Sequence, residues 1–176
     1  MVSLPVLPAI EGSLPKEAEP PIHILCYPMP RYAMPQDLKH TPLHPSHRAL
    51  DAHMIPFAGW EMPLQFQGIL AETRAVRAHS GLFDVSHMGR IFVEGADAQA
   101  LLGWVHTGDI GPEMPLGRAR YGLLCTHEGG ILDDGIVYYL GPEEYLLVCN
   151  ASNRQHVVPW MHRWIAERFP RVSVED

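Results

Sequence analysis

The chain has 176 residues, of which 47% are hydrophobic and 19% charged, a balance that fits one globular unit or the front part of a larger one. Twenty Asp and Glu against thirteen Lys and Arg leave a formal charge of -7, which argues against nucleic acid or an anionic membrane as the main partner. Cys26, Cys125 and Cys149 are widely spaced with no CxxC pair, a pattern that suits buried, reduced thiols better than a disulfide framework.

Residues 1–40 carry eight prolines, from Pro5 to Pro35. Each fixes its own backbone and withholds a hydrogen-bond donor, so the stretch reads as an extended, disordered tail. It lacks the basic start and continuous apolar run of a secretory signal, and it is not Arg-rich like a presequence. No run approaches the roughly 18 apolar residues of a membrane span. The expected location is therefore cytoplasmic.

A folded domain is expected over 41–176. Phe66, Ile69, Leu70, Thr73 and Val76 recur at helical spacing and predict an amphipathic helix over Gln65 to Ser80, with Gly81 ending it in a left-handed conformation. Strand character follows in Leu82 to Met88 and in Gly89 to Glu94. Asp97 to Val105 returns to a helical period. Three apolar runs, Tyr121 to Cys125, Ile131 to Leu140 and Tyr145 to Asn150, are separated by the turn sequences His127-Glu128-Gly129-Gly130 and Gly141-Pro142-Glu143-Glu144, and predict an antiparallel meander. Ser152 is placed to cap a helix burying Val157, Met161, Trp164, Ile165 and Phe169, which Pro159 should bend or delay. The expected class is α+β, antiparallel sheets with covering helices. Arg171 to Asp176 alternates like a strand that stops as it begins, so the chain is expected to be a fragment of a longer protein.

Few patterns carry chemistry by themselves. Among eleven histidines, His44, His47 and His53 lie close together, yet no HExxH or CxxC spacing accompanies them, and they read as solvated or singly bonded side chains with no metal expected. Asp84-Val85-Ser86-His87 offers an acid, a hydroxyl and an imidazole, but neighbours on a strand project to opposite faces, which argues against a hydrolase. Asp133 and Asp134 interrupt an apolar strand. One must face the side that the other avoids, and whichever points inward needs hydrogen-bond partners. A structural anchor and a catalytic acid remain equally open for the pair.

Four segments then agree in order and spacing with one family. They are Pro56-Phe57-Ala58-Gly59-Trp60-Glu61-Met62-Pro63, Ala75-Val76-Arg77, the run from Gly81 through Asp84-Val85-Ser86-His87-Met88 to Gly89, and Gly129-Gly130-Ile131-Leu132-Asp133-Asp134. From about Thr41 onward the chain resembles the aminomethyltransferase (T protein) family of the glycine cleavage system. That resemblance implies three domains around a folate channel in a protein about twice this length. It also implies that the lipoyl arm of the H protein delivers an aminomethyl group. Tetrahydrofolate, the co-substrate, takes the carbon as 5,10-methylenetetrahydrofolate while ammonia leaves, and no metal is needed.

Carried over by position, Asp134 matches the family's catalytic aspartate and Asp133 its structural companion. Met88, Tyr121, Ile136, Tyr138 and Asn150 match positions lining the folate pocket. Gly135 departs from the pattern, standing where leucine is common, so a different backbone freedom is expected beside the acid. The Gly-Tyr-Thr-Gly-Glu signature and folate-clamping arginines of the family do not occur within the 176 residues, and the chain alone is expected to bind tetrahydrofolate weakly. The alternatives are other folate-binding members of the superfamily, namely a demethylase, a sarcosine or dimethylglycine dehydrogenase domain or an iron-sulfur assembly protein, and a non-catalytic fragment.

Overall fold

The structure, a computed structural model, describes residues 37–176, so Cys26 and most of the Pro-rich stretch lie outside the described residues. Within the span assigned to the tail by composition, Lys39 already pairs with Trp60.

A short helix α1 (His44–Ala49) leads into a hairpin of β1 (His53–Phe57) and β2 (Trp60–Gln65). The turn is Ala58-Gly59, both at positive φ (49° and 83°), closed by the pair Phe57 and Trp60. Positive φ at both central residues is the geometry that follows the right-handed twist of the strands. Pro56 and Pro63 are tolerated because a two-stranded ribbon has only edge strands. Helix α2 (Ile69–Ala78) is shorter than its apolar spacing predicts and buries none of its residues. It ends on His79 with φ -136°, and Gly81 is not left-handed.

The segment 81–88 forms no strand. The segment is held by hydrogen bonds to the Asp84 carboxylate instead of a ladder, since Asp84 accepts from Thr41 Oγ1, His47 Nε2 and the Ser86 backbone amide at 2.7, 2.8 and 2.9 Å. Leu82, Phe83 and Val85 are left exposed.

The five-stranded antiparallel sheet has the order β4-β5-β6-β3-β7. Its strands are β3 (Gly89–Glu94), β4 (Ala119–Cys125), β5 (Ile131–Gly141), β6 (Glu144–Cys149) and β7 (Ser173–Glu175). One face presents Ile91, Val93, Leu124, Val137, Leu147 and Cys149 to α3 (Ala98–Val105) and α4 (Arg154–Glu167), which bury Leu101, Leu102, Val105, Val157 and Met161 against them. The meander and the covering helices follow from the apolar periods. Helix α4 starts after Asn153, not at a Ser152 cap, and the Asn153 side chain donates to Asp133 instead of capping the helix. The helix runs through Pro159, which leaves the Gln155 carbonyl without its i+4 donor. The short β7 pairs with β3 through Val93 and Val174.

Candidate active site

The pleat decides which acid of the pair faces inward. Leu124 pairs with Asp133 and Leu123 with Asp134, and a bulge at Leu132 follows before Cys125 meets Ile131. Asp133 therefore points to the helix side, where it is 2% exposed. A carboxylate there needs donors, and it has three: the Asn150 backbone amide at 2.9 Å, Asn150 Nδ2 at 2.9 Å and Asn153 Nδ2 at 2.6 Å. These bonds tie the start of β5 to the turn between β6 and α4. Asp133 is a structural anchor.

Asp134 projects from the opposite, solvent-facing side. Tyr121 Oη donates to its Oδ2 at 3.2 Å, and Asn150 Nδ2 donates to its Oδ1 at 3.0 Å and to its backbone carbonyl at 3.2 Å. The hydrogen bond from Tyr121 and the nearby carboxylate charge hold the Tyr121 phenol above its ordinary pKa. Tyr121 pairs directly with Ile136, and Tyr138 lies two residues further along the same side of β5. Met88 immediately precedes Gly89, which pairs with Cys149 next to Asn150. The structure thus brings Tyr121, Asp134 and Asn150 into hydrogen-bond contact, with Ile136 and Tyr138 on the same sheet face and Met88 at the same end of the sheet. That face is half open, Tyr121 being 64% and Phe92 42% exposed.

Gly135 is extended, without unusual φ, so backbone freedom is not what distinguishes it. A Cβ there would lie 2.8 Å from the Val148 carbonyl oxygen, and close packing of β5 on β6 excludes a side chain. Across the ladder, Gly122 makes room for the buried His106 in the same way. The Gly108 amide donates to His106 Nδ1 at 3.1 Å, leaving Nε2 as the protonated nitrogen toward the Gly135 carbonyl at 3.4 Å. Burial lowers the His106 pKa against these bonds, which keeps the ring neutral. Nothing in the residue pattern pointed to this histidine; the paired glycines at 122 and 135 were its trace.

The other candidate groups lie elsewhere. Cys149 is buried in the core, and burial with the nearby Asp133 pushes its thiol up to about 12, so it packs as an inert hydrophobe. His47 bonds Asp84, and His53 opens β1 on the surface, so the three histidines close in sequence do not converge. A cleft of about 370 Å³ lined by Trp104, His106, Cys125, His127, Trp160 and Trp164 opens on the helix side of the sheet, away from Asp134. Among the described residues, no helix is long and apolar enough to cross a membrane.

An antiparallel sheet covered on one face by helices, with one buried, anchored carboxylate and one exposed carboxylate at neighbouring positions of β5, defines an α+β domain that presents Asp134 on its open face beside Tyr121 and Asn150. Residues 43–176 match the model of the GCVT N-terminal domain, and the chain belongs to that family. It is 43% identical over 129 residues to an aminomethyltransferase of Herpetosiphon aurantiacus, covering 73% of this chain and 36% of the relative. It is 52% identical over 122 residues to an aminomethyltransferase of Streptomyces coelicolor, covering 69% and 32%. The crystal structure of the glycine cleavage system aminomethyltransferase T from Bartonella henselae superposes with a TM-score of 0.73 at 37% identity, over 78% of this chain and 37% of that one. The chain spans about a third of the length of these relatives.

Proposed function

We propose that this chain carries the catalytic acid of a tetrahydrofolate-dependent aminomethyltransferase of the glycine cleavage system. The observation that carries the reading is the Asp134 carboxylate, held on an open sheet face by Tyr121 and Asn150 and flanked by Ile136 and Tyr138. The names of the relatives supply the chemistry: an aminomethyl carbon moves to an acceptor. The donor is the lipoyl arm of the H protein. Tetrahydrofolate takes the carbon as a methylene bridge between two nitrogens; the carbon–sulfur bond breaks to leave the lipoyl arm as its free dithiol, and ammonia is released.

A cationic methylene-iminium develops at a folate nitrogen along this path. A fixed anion aimed at that position stabilises the charge without reorganising, and it can accept or return the proton of the attacking amine. Asn150 and Tyr121 fix the carboxylate, Tyr121 and Tyr138 offer flat surfaces to the pterin and aminobenzoyl rings, and Ile136 and Met88 offer apolar contact. Asp133 acts only by placing Asn150. The test is formation of 5,10-methylenetetrahydrofolate from lipoylated, aminomethyl-loaded H protein by the gene product as its source makes it. Turnover lost on Asp134→Asn supports the reading, and undiminished turnover overturns it.

A further inference from the structure

A second cluster lies far in sequence from the acidic pair, where the segment before α1 meets the hairpin. The backbone fixes its geometry: the Lys39 amide donates to the Gly59 carbonyl at 3.0 Å, and the Glu61 amide donates to the Lys39 carbonyl at 2.9 Å. His40 is thereby set beside Glu61. His44, the first residue of α1, stacks its ring on that of His40, with centroids 3.8 Å apart and planes 6° from parallel. Both Nε2 atoms reach the same oxygen, Glu61 Oε2, from 3.3 Å (His40) and 2.5 Å (His44). The donor atoms of all three residues lie within 4.8 Å of one another.

We propose that His40, His44 and Glu61 form a binding site for a divalent transition metal of the zinc class. Two imidazoles and one carboxylate are donors of intermediate softness that suit zinc and its neighbours, whereas magnesium and calcium prefer all-oxygen shells. With metal-ligand bonds of about 2.1 Å, tetrahedral donors stand about 3.4 Å apart. The His40 spacing is close to that value, and His44 must open by about 1 Å; the two stacked rings must also tilt out of parallel so that both in-plane nitrogen lone pairs meet at one ion. The carboxylate is buried, and its second oxygen accepts from Arg48, which leaves Oε2 facing the two imidazoles. The His40 side chain is 55% exposed, which gives the ion a path in and water as the fourth ligand. Arg48 opposes a cation, but its side chain is 58% exposed and free to turn into solvent. The residue-pattern reading grouped His44 with His47 and His53. In three dimensions His44 finds His40 instead, because His47 is occupied by Asp84.

The bound ion clips the segment before α1 to β2, so it stabilises the folded form in proportion to its saturation. The experiment titrates zinc chloride into the metal-stripped 176-residue chain, followed by calorimetry and by thermal melting. One equivalent should bind with a saturable rise in Tm. The affinity should fall at least tenfold in His40→Gln and in His44→Gln, and rise in Arg48→Ala. His40 is at the surface, so its variant keeps the fold, which its melt in chelator verifies. Cobalt(II) should give visible bands of a four-coordinate nitrogen-oxygen site that His40→Gln abolishes. Absence of zinc binding overturns the proposal, as does equal binding by the His40→Gln, His44→Gln double variant, which would put the ion on other side chains.

Discussion

The side-chain amide of Asn150 donates to Asp134 Oδ1 at 3.0 Å, and the same nitrogen reaches Asp133 Oδ1 at 2.9 Å. One residue at the end of β6 thus couples a buried carboxylate to an exposed one on the neighbouring strand. The buried acid holds the asparagine, through its backbone amide as well as its side chain. The asparagine in turn holds the exposed acid. Two adjacent aspartates that look alike in sequence are given different tasks by the pleat.

The two acids should therefore fail differently. Asp134→Asn should leave Tm nearly unchanged and reduce aminomethyl transfer by about a hundredfold or more, the usual cost of removing a positioned acid or base. Asp133→Asn turns an amide donor toward three N–H groups and should cost about 1–3 kcal/mol of stability, with turnover per folded molecule much better preserved. Denaturant melts and steady-state rates on both variants separate the cases. Equal loss of turnover with equal Tm would count against the division of roles.

Tyr121 reports on the same carboxylate. Its phenol is held above the ordinary value near 10 chiefly by its hydrogen bond to Asp134 and by that carboxylate's charge. Asp134→Asn should bring the Tyr121 titration back toward the ordinary value, whereas Tyr121→Phe should delete that late-titrating phenol. Absorbance near 295 nm against pH, in the wild type and both variants, follows this directly. An unchanged Tyr121 titration in Asp134→Asn would show that the 3.2 Å contact is not maintained in solution.

Much of the sheet and its helices was legible because their apolar periods reflect one continuous core: β3, α3, the meander and α4 fall where periods of two and 3.6 place them. The hairpin of β1 and β2 was not legible as structure, since Pro56 and Pro63 mask its strands and its turn uses an alanine at positive φ. Leu82 to Met88 misled for the opposite reason. Alternation there coexists with hydrogen bonding through the Asp84 side chain, which periodicity does not register. Which acid faces inward depends on register, and that is set by the bulge at Leu132, beyond the reach of local pattern. The His40, His44 and Glu61 group joins three segments, so no spacing announces it.

Gly95 makes the attachment of β7 testable. Its φ is +121°, and a Cβ would lie 2.2 Å from the Arg171 carbonyl oxygen, so both backbone conformation and space demand glycine. Gly95→Ala should destabilise the chain by about 1–3 kcal/mol and lift residues 173–175 from β3. Hydrogen exchange of the Val174 amide, opposite Val93, should accelerate more than that of Leu147 in the central strand β6. Uniform acceleration across both would place the strain in the whole domain and contradict local detachment.

Asp84 should contribute to the acid limit of the fold. Burial raises its pKa, but the hydrogen bonds from His47, Thr41 and the Ser86 amide outweigh that and hold the carboxyl well below the usual carboxylate range. A depressed folded-state pKa contributes stability that is complete above the unfolded value, about 4, and is lost as pH falls below it toward the folded value. Asp84→Asn keeps the shape, removes the charge and leaves an amide facing donors, so it should cost about 1–3 kcal/mol at pH 7. Its Tm should also depend less on pH below about 4, so the wild-type and variant curves should converge as acid protonates Asp84. Melting both proteins between pH 7 and pH 2 decides it. Parallel curves would mean that the acid sensitivity arises at other carboxylates and that Asp84 is not the anchor of the segment 81–88.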